Sequence, residues 1–589
     1  MVILGIHDGH DAGCALLRDG VAVAAAGEER YQRTKNFDTR ARPWAFPRRS
    51  AGSVMELGEV APEQIDGVAV PFSSPAEDLA RFERMAAAGD GREDAFRWFA
   101  TFKRYRLAKM RLGLARLGIR APLVHVHHHR AHLLSAHSTA GFDSGLVMSL
   151  DGKGDLLAGM VAEAGPRLGI EREIHLLDSP GIFYSAVTRM LGFRTDEDEG
   201  KTTALAARGE RDAGLDGLFT RCFSLSNGQL RFHTLRSLIT RWSYIKLPTR
   251  AVTAALSEAI EGAGGATRVD IAAAAQRWLE SVVVGMIEDA IGDRGPVDLA
   301  VAGGVFANVL LNRTLAGHPG VRRLFVHPAM GDAGLALGAC VHAHKQLTGE
   351  LPSVPLRDAF LGPGIDTEAV CTLLRRRGIP FRRPERLASE VAALLAAGRL
   401  VGVCRGRMEY GPRALGHRSI LCHPGERELT GRLGSLLRRS PVMPFGPAIS
   451  AEHFDRCVQV EPGAIRNAGF MTLAAPATPW MREHCPAAVH VDGTTRPQRV
   501  TAETTPFFHA VLAAFHQRTG LPALINTSLN RHREPIVCTA ADALATATAV
   551  GLDALVLGDV LVDGADLVVA TGRGSQDSTG TGSDPSSYR

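Results

Sequence analysis

Along this chain an apolar run repeatedly closes on glycine and then opens a helix-like segment, a pattern that few folds accommodate. VILGIHDG (2–9), GLVMSLDGKGD (145–155), VDLAVAGGVFANVLLNRTL (297–315) and LFVHPAMGDAGLALGACVHA (324–343) all have this shape. Short buried strands feeding glycine turns and helices predict an α/β architecture, with ligands at the carboxyl ends of the strands. ALLRDGVAVAAAGEER (15–30) sets Asp19-Gly20 between two apolar runs and predicts a hairpin beside the first strand. A break rich in proline and glycine falls at 350–365, and a further α/β unit follows it. With 589 residues the chain is long enough for two to four domains. No repeat of solenoid type is evident.

Composition excludes several classes. The residues are 45% hydrophobic and 22% charged, ordinary values for a chain that buries large cores. A net charge of +5 is mild at this length and does not by itself point to nucleic acid. The nine cysteines form no CxxC pair, which reads as reduced thiols in a cytoplasmic protein and removes zinc-finger readings. The N-terminus has no basic n-region and no uncharged apolar run reaches eighteen residues, so neither a signal peptide nor a membrane span is expected. Residues 97–117 predict an amphipathic basic helix. Its apolar side is expected to pack and its basic face to meet solvent, a phosphate or nucleic-acid surface being the alternative. The Ser/Gly/Thr-rich tail at 571–589 is expected to be disordered.

The densest chemistry lies in HHHRAHLLSAH (127–137). His128 and His132 are four apart, which on a helix puts both imidazoles on one face. Spacing alone leaves His125 and His129 level with them, and a structural role for the cluster stays open. The strand-to-helix transition favours the later pair, because His125 still belongs to the strand. Asp151 in DGKGD and Asp332 in MGDAG are carboxylates at glycine-rich strand ends. Two histidines plus carboxylates with open positions suit Fe(II), Mn(II) or Zn(II).

HHRAHLLSAH resembles the signature of O-carbamoyltransferases related to nodulation protein U and to the cephem carbamoyltransferase, a family that includes enzymes acting on aminoglycoside, ansamycin and aminocoumarin antibiotics. The resemblance extends through HDGHDAG (7–13), EERYQRTK (28–35), FYSAVTRMLGF (183–193), DEDEGK (196–201), AGGVFANVLLN (302–312) and GDAGLALGA (331–339). It continues in GRMEYGPRALGHRSIL (406–421), VDGTTRPQRV (491–500) and INTSLNRHREPIV (525–537), so it spans nearly the whole chain. It implies an actin/hexokinase-like domain (the ASKHA type, similar to tRNA threonylcarbamoyltransferase) at 1–350, a linker at 351–365 and a YrdC-like α/β domain at 366–570. It implies ATP and carbamoyl phosphate as co-substrates, with Mg accompanying ATP. Carbamoyl-adenylate and pyrophosphate would form in the second domain. The carbamoyl group would then pass in the first domain to a hydroxyl of a small-molecule natural product. Neither nucleic acid nor a membrane is implied as a partner, and monomer and homodimer both stay open.

The same resemblance implies roles residue by residue. His10 is the expected catalytic base, since an alcohol is a weak nucleophile. His128, His132, Asp151 and Asp332 are the expected metal ligands, with Fe(II) the implied ion. Lys35, Gly152, Glu199, Lys201, Gly303, Gly304 and Asn308 are expected around the nucleotide in the first domain. Arg407, Arg413, Arg418, Arg439 and Arg496, with Asn526, Ser528 and Asn530, are expected around ATP and carbamoyl phosphate in the second, where arginine forks suit phosphate. The chain departs from the family at LLRRSPVMPFGPA (436–448), where Leu437 and Met443 stand in place of a lysine and an arginine, and at Arg208, which stands in place of a tyrosine. Two readings compete: carbamoyl or threonylcarbamoyl transfer to a macromolecule, of the tRNA or hydrogenase-maturation type, and a catalytically silent nucleotide-binding protein.

Overall fold

The computed structural model describes residues 1–40, 44–87, 93–165, 167–226, 228–234, 249–440 and 442–567. The 571–589 tail lies outside them. Among the described residues no helix is long and apolar enough to cross a membrane.

The first half of the chain builds the same sheet twice. Strands β1 (Val2–His7), β2 (Gly13–Arg18), β3 (Val21–Gly27), β4 (Gly67–Val70) and β5 (Leu123–His125) lie in the order β3-β2-β1-β4-β5. The first three form an antiparallel meander, and β4 and β5 extend it in parallel. Strands β6 (Gly145–Gly154), β7 (Leu157–Ala164) and β8 (Gly169–His175) form a second meander. After a small hairpin, β9 (Phe223–Ser226) with β10 (Gln229–Phe232), strands β11 (Val297–Ala302) and β12 (Val321–Val326) extend the second sheet in parallel, giving β12-β11-β6-β7-β8. This doubled five-stranded unit is the actin/hexokinase-like architecture. The expected Asp19-Gly20 hairpin is the β2–β3 turn, with Gly20 at φ +77°.

A helix follows the last strand of each sheet, His128–Ala140 after β5 and Leu335–Thr348 after β12. Each crosses to the other sheet: the first packs on β6, β7 and β11, the second on β1, β2 and β4. The two helices also pack on one another so closely that a Cβ on Gly338 would stand 1.8 Å from the Ala131 carbonyl oxygen. Alanines 131, 136, 336 and 339 are buried at this level.

The second domain is a mixed α/β layer. Strands β13 (Val401–Cys404), β14 (Arg418–Cys422), β15 (Gly446–Ser450), β18 (Gln498–Val500), β19 (Ala523–Ser528), β20 (Ala554–Leu557) and β21 (Val560–Asp563) form a sheet ordered β18-β15-β19-β14-β13-β20-β21, beside a two-residue pair, β16 (Ala475–Pro476) with β17 (Thr494–Thr495). Helices Leu387–Ala396 and Pro506–Thr519 cover one face through Val391, Leu395, Leu512 and Phe515.

The junction between the halves is packed. Residues 351–365 lie extended along helix His128–Ala140, where Val354 N donates to Ser138 O at 2.8 Å and Leu356 N to Thr139 O at 3.2 Å. The buried side chain of Asn467 bonds both Val326 N and Leu324 O, at 2.8 and 2.7 Å. Arg466 donates to the carbonyls of Thr139, Ala140 and Leu356, satisfying the carboxyl end of that helix.

One basic feature is placed against expectation. Helix Glu93–Arg116 does not leave all its cations in solvent. Lys103, Arg106 and Lys109 are buried, because Asp155, Asp78 and Asp8 meet them from below.

The closeness of the two crossing helices yields a prediction. Gly338→Ala should destabilise the protein by about 1–3 kcal/mol, the usual range for overpacking, read as a lower denaturation midpoint. Parental stability would show that the helices have room to separate.

Candidate metal centre and anion site

His128 opens its helix and His132 follows one turn later, with ring centroids 4.8 Å apart. Asp151 stands on β6 where the β6–β7 pairing loses register, and Asp332 lies on the turn that enters helix Leu335–Thr348. His132 Nε2 is 3.3 Å from Asp151 Oδ2 and 3.6 Å from Asp332 Oδ1. His128 Nε2 is 3.8 and 3.5 Å from the same two atoms. One ligand atom from each of the four residues fits within 4.8 Å of all the others. The competing pair is engaged elsewhere: His125 Nδ1 meets Phe72 O at 3.2 Å, and His129 Nδ1 meets Ser149 Oγ at 3.2 Å.

The donor set fits a divalent cation. His128 Nε2 and His132 Nε2 are buried without a hydrogen-bond partner, an expense that coordination would remove. Burial opposes ionisation of Asp151 and Asp332, but His128 and His132 outweigh it and hold both carboxyls below the ordinary range. Burial likewise opposes charge on His132, and the two carboxylates override it, pushing its pKa up to about 9. Two nitrogens and two carboxylates suit Fe(II), Mn(II) or Zn(II).

The β1–β2 turn faces this cluster. His7 Nε2 is 2.8 Å from His10 O and 3.6 Å from Asp332 Oδ2. His10 is 29% exposed, and its Nδ1 is 3.3 Å from Asp11 Oδ2. Burial lowers its pKa, yet Asp11, with Asp332 and Asp196 beyond, raises it to about 10.

The expected nucleotide-side residues divide. Gly303, at φ +105°, lets the β11 turn press on β6: a Cβ there would stand 2.0 Å from Leu150 O. A Cβ on Gly304 would be 3.0 Å from Asp151 Oδ1, and Gly152 N donates to that oxygen at 2.6 Å. These three glycines therefore border the metal cluster. Lys35 is exposed, and with Lys201 it lies in the field of Asp198, to which Lys201 is bonded at 2.7 Å. Glu199 accepts from Ser185 Oγ and Asp196 N, both at 2.8 Å. Asn308 departs from expectation. Its side chain caps helix Val309–Ala316 and exchanges two hydrogen bonds with Gln276, so its amide is already spent.

The arginines divide in the same way. Arg418 is fully buried and donates to the carbonyls of Arg405, Gly406, His417, Pro363 and Cys538. Arg407 donates to Val23 O, Leu361 O and Gly362 O. Both guanidinium groups are thus engaged by backbone carbonyls. Arg413, Arg439 and Arg496 are different. Among the described residues no carboxylate pairs with any of them, and the Nε of each is buried without a partner. Burial pushes Arg413 and Arg439 down to about 10, Arg439 also through Arg413. Burial and both of these neighbours lower Arg496 further. Three neighbouring guanidinium groups without counter-charge make a candidate anion site.

Around that site Asn526 donates to Ala414 O and Gln498 Oε1 and leaves its own oxygen unpartnered. Asn530 donates to Arg531 O and Glu534 O. Ser528 pairs in register with Ser419. Thr527, which no motif singled out, accepts from Arg439 Nη1 at 3.1 Å. Leu437 is buried, and Met443 reaches across to Gly200 of the first domain. Sequence reasoning also passed over His7, Asp8 and Asp155. The signal that could have found the last two is the i, i+3, i+6 spacing of Lys103, Arg106 and Lys109, one helix face needing anions.

Two family models match the chain, Carbamoyltransferase N-terminus over residues 80–341 and Carbamoyltransferase C-terminus over residues 392–563. Nodulation protein NolNO of Sinorhizobium fredii is 31% identical over 570 residues, covering 94% of this chain and 79% of that protein. The 3'-hydroxymethylcephem-O-carbamoyltransferase of Amycolatopsis lactamdurans is 26% identical over 570 residues, covering 95% and 98%. Among solved structures, T. kodakarensis HypF superposes with a TM-score of 0.31 at 14% identity, over 60% of this chain and 48% of that one.

The anion site generates its own prediction. Arg496→Met should raise the thermal midpoint of the anion-free protein, because it removes an unpaired charge from a crowded cationic site. It should also abolish the upward shift that pyrophosphate gives the parent protein. An equal pyrophosphate shift in both proteins would remove Arg496 from the site.

Proposed function

The chain belongs to the carbamoyltransferase family, and from that premise we propose that it is an ATP- and metal-dependent O-carbamoyltransferase acting on a hydroxyl of a small-molecule natural product. The observation that carries this reading is a pair of unsatisfied sites among the described residues: a two-histidine, two-carboxylate cluster in the first domain and three arginines without a carboxylate partner in the second.

Each site suits one half-reaction. At the arginines, carbamoyl phosphate is cleaved by water to carbamate and phosphate. A carbamate oxygen then attacks the α-phosphorus of ATP, forming carbamoyl-adenylate as pyrophosphate leaves. Arg413, Arg439 and Arg496 bind the phosphate charges, and Thr527 orients Arg439. In the first domain the acceptor hydroxyl attacks the carbamoyl carbon and AMP leaves. His10 takes the hydroxyl proton. Lys35 and Lys201 receive the adenylate phosphate, and the bare backbone at Gly303 and Gly304 admits the nucleotide to the cluster edge. His128, His132, Asp151 and Asp332 would hold a divalent cation, which would supply Lewis acidity toward the acyl or phosphoryl oxygen and positive charge opposing the carboxylates beside His10. Fe(II) is our assignment for that ion, with Mg accompanying ATP.

The test separates the two stages. Full-length protein given ATP and carbamoyl phosphate should release pyrophosphate without an acceptor. His10→Ala should keep that release and lose transfer by about 10²- to 10⁴-fold. His132→Ala should lower bound metal and transfer together. Absence of pyrophosphate release, with no AMP formed from any acceptor in a panel of decarbamoylated natural products, would overturn the reading.

A further inference from the structure

The β6–β7 turn does more than supply Asp151. A Cβ on Gly154 would lie 2.1 Å from His128 Cδ2, so the imidazole ring rests on bare backbone there. Asp155, the next residue, adopts φ +45°, and its side chain is 5% exposed. Its Oδ2 accepts from the backbone N of His128 at 3.0 Å, and from Ser73 N and Oγ at 2.8 and 3.1 Å. Its Oδ1 accepts from Lys103 Nζ at 2.6 Å, and its carbonyl faces His127 Nε2 at 3.3 Å. Lys103 is 3% exposed, lies 3.2 Å from Asp78 and sits over the Phe72 ring at 5.3 Å. One carboxylate therefore ties the loop after β4, the basic helix and the first residue of helix His128–Ala140 to a single point.

We infer that Asp155, held in place by Lys103, is a positioning residue for the metal cluster. It binds no cation itself. It caps the helix at His128 and fixes where that helix starts, and so the direction in which His128 and His132 point. Carboxylates at a helix N-terminus both accept the free N–H groups and complement the helix dipole. Groups that orient metal ligands from behind set affinity by typically 10- to 100-fold. Lys103 and Asp155 are 52 residues apart, so the cation face of the helix signals a need for anions without naming Asp155 as the partner.

The inference rests on the metal reading above, and the experiment keeps the two apart. Metal-free, full-length parent protein is titrated with Zn(II) alone against a chromophoric chelator, beside His132→Ala, Asp155→Asn and Lys103→Arg. Asp155→Asn should weaken Zn(II) binding at least 10-fold with an unchanged circular-dichroism spectrum, and Lys103→Arg, which keeps the cation, should stay nearer the parent. Asp155→Asn within twofold of the parent, where His132→Ala has lost the site, overturns the positioning role and leaves the metal reading standing. Equal binding by parent and His132→Ala overturns both. If Asp155→Asn does not fold, Lys103→Gln is judged by the same affinity criterion.

Discussion

The contact on which the site depends is the one between Gly338 and the Ala131 carbonyl. His128 and His132 belong to one of the two crossing helices, and Asp332 stands at the entry to the other. The distance between histidine and carboxylate is thus set by how nearly the two backbones approach, and a side chain at 338 would alter it. Asp151 joins from the sheet on which the first helix packs. Four donors from three stretches of chain converge because each sheet's closing helix crosses to the other sheet, an outcome of the doubled topology.

Electrostatics divides the molecule into two poles. The first domain gathers carboxylates around partly buried imidazoles; the second gathers guanidinium groups with no acid among them. Each arrangement is costly alone and is relieved by a ligand of opposite sign. The poles complement the reactants assigned to them, a cation on one side and polyphosphate on the other. Several other buried charges are met by partners of opposite sign: Asp8 with Arg106, Asp155 with Lys103, and Asp298 with Arg322 and Arg323.

Much of this was legible before the fold was known. The Asp-Gly hairpin, the recurring strand-glycine-helix units and the choice of His128 and His132 over His125 and His129 followed from local rules, because turn chemistry and helical spacing act over a few residues. That the units form two copies of one sheet was not legible, since pairing order is non-local. The buried cations of helix Glu93–Arg116 were read as solvated because their partners are distant; Arg106 meets Asp8 across 98 positions. Arg407 and Arg418 sit within the same motif as Arg413 and have a different role. Whether a guanidinium meets carbonyls or an incoming phosphate depends on what lies opposite it, which a motif does not record. Asn308 is a similar case: Gln276, 32 residues away, meets its amide, and no motif records that contact.

Arg466 and Tyr410 both reach from the second domain into the first. Arg466 holds the last carbonyls of the metal-binding helix, and the Tyr410 hydroxyl donates to Ala333 O at 3.0 Å, one residue past Asp332. The second domain thus grips the elements that carry three of the four candidate metal ligands. Any free energy that filling the arginine site spends on displacing these grips must reappear as a change in cation affinity, and the exchange runs equally in the other direction.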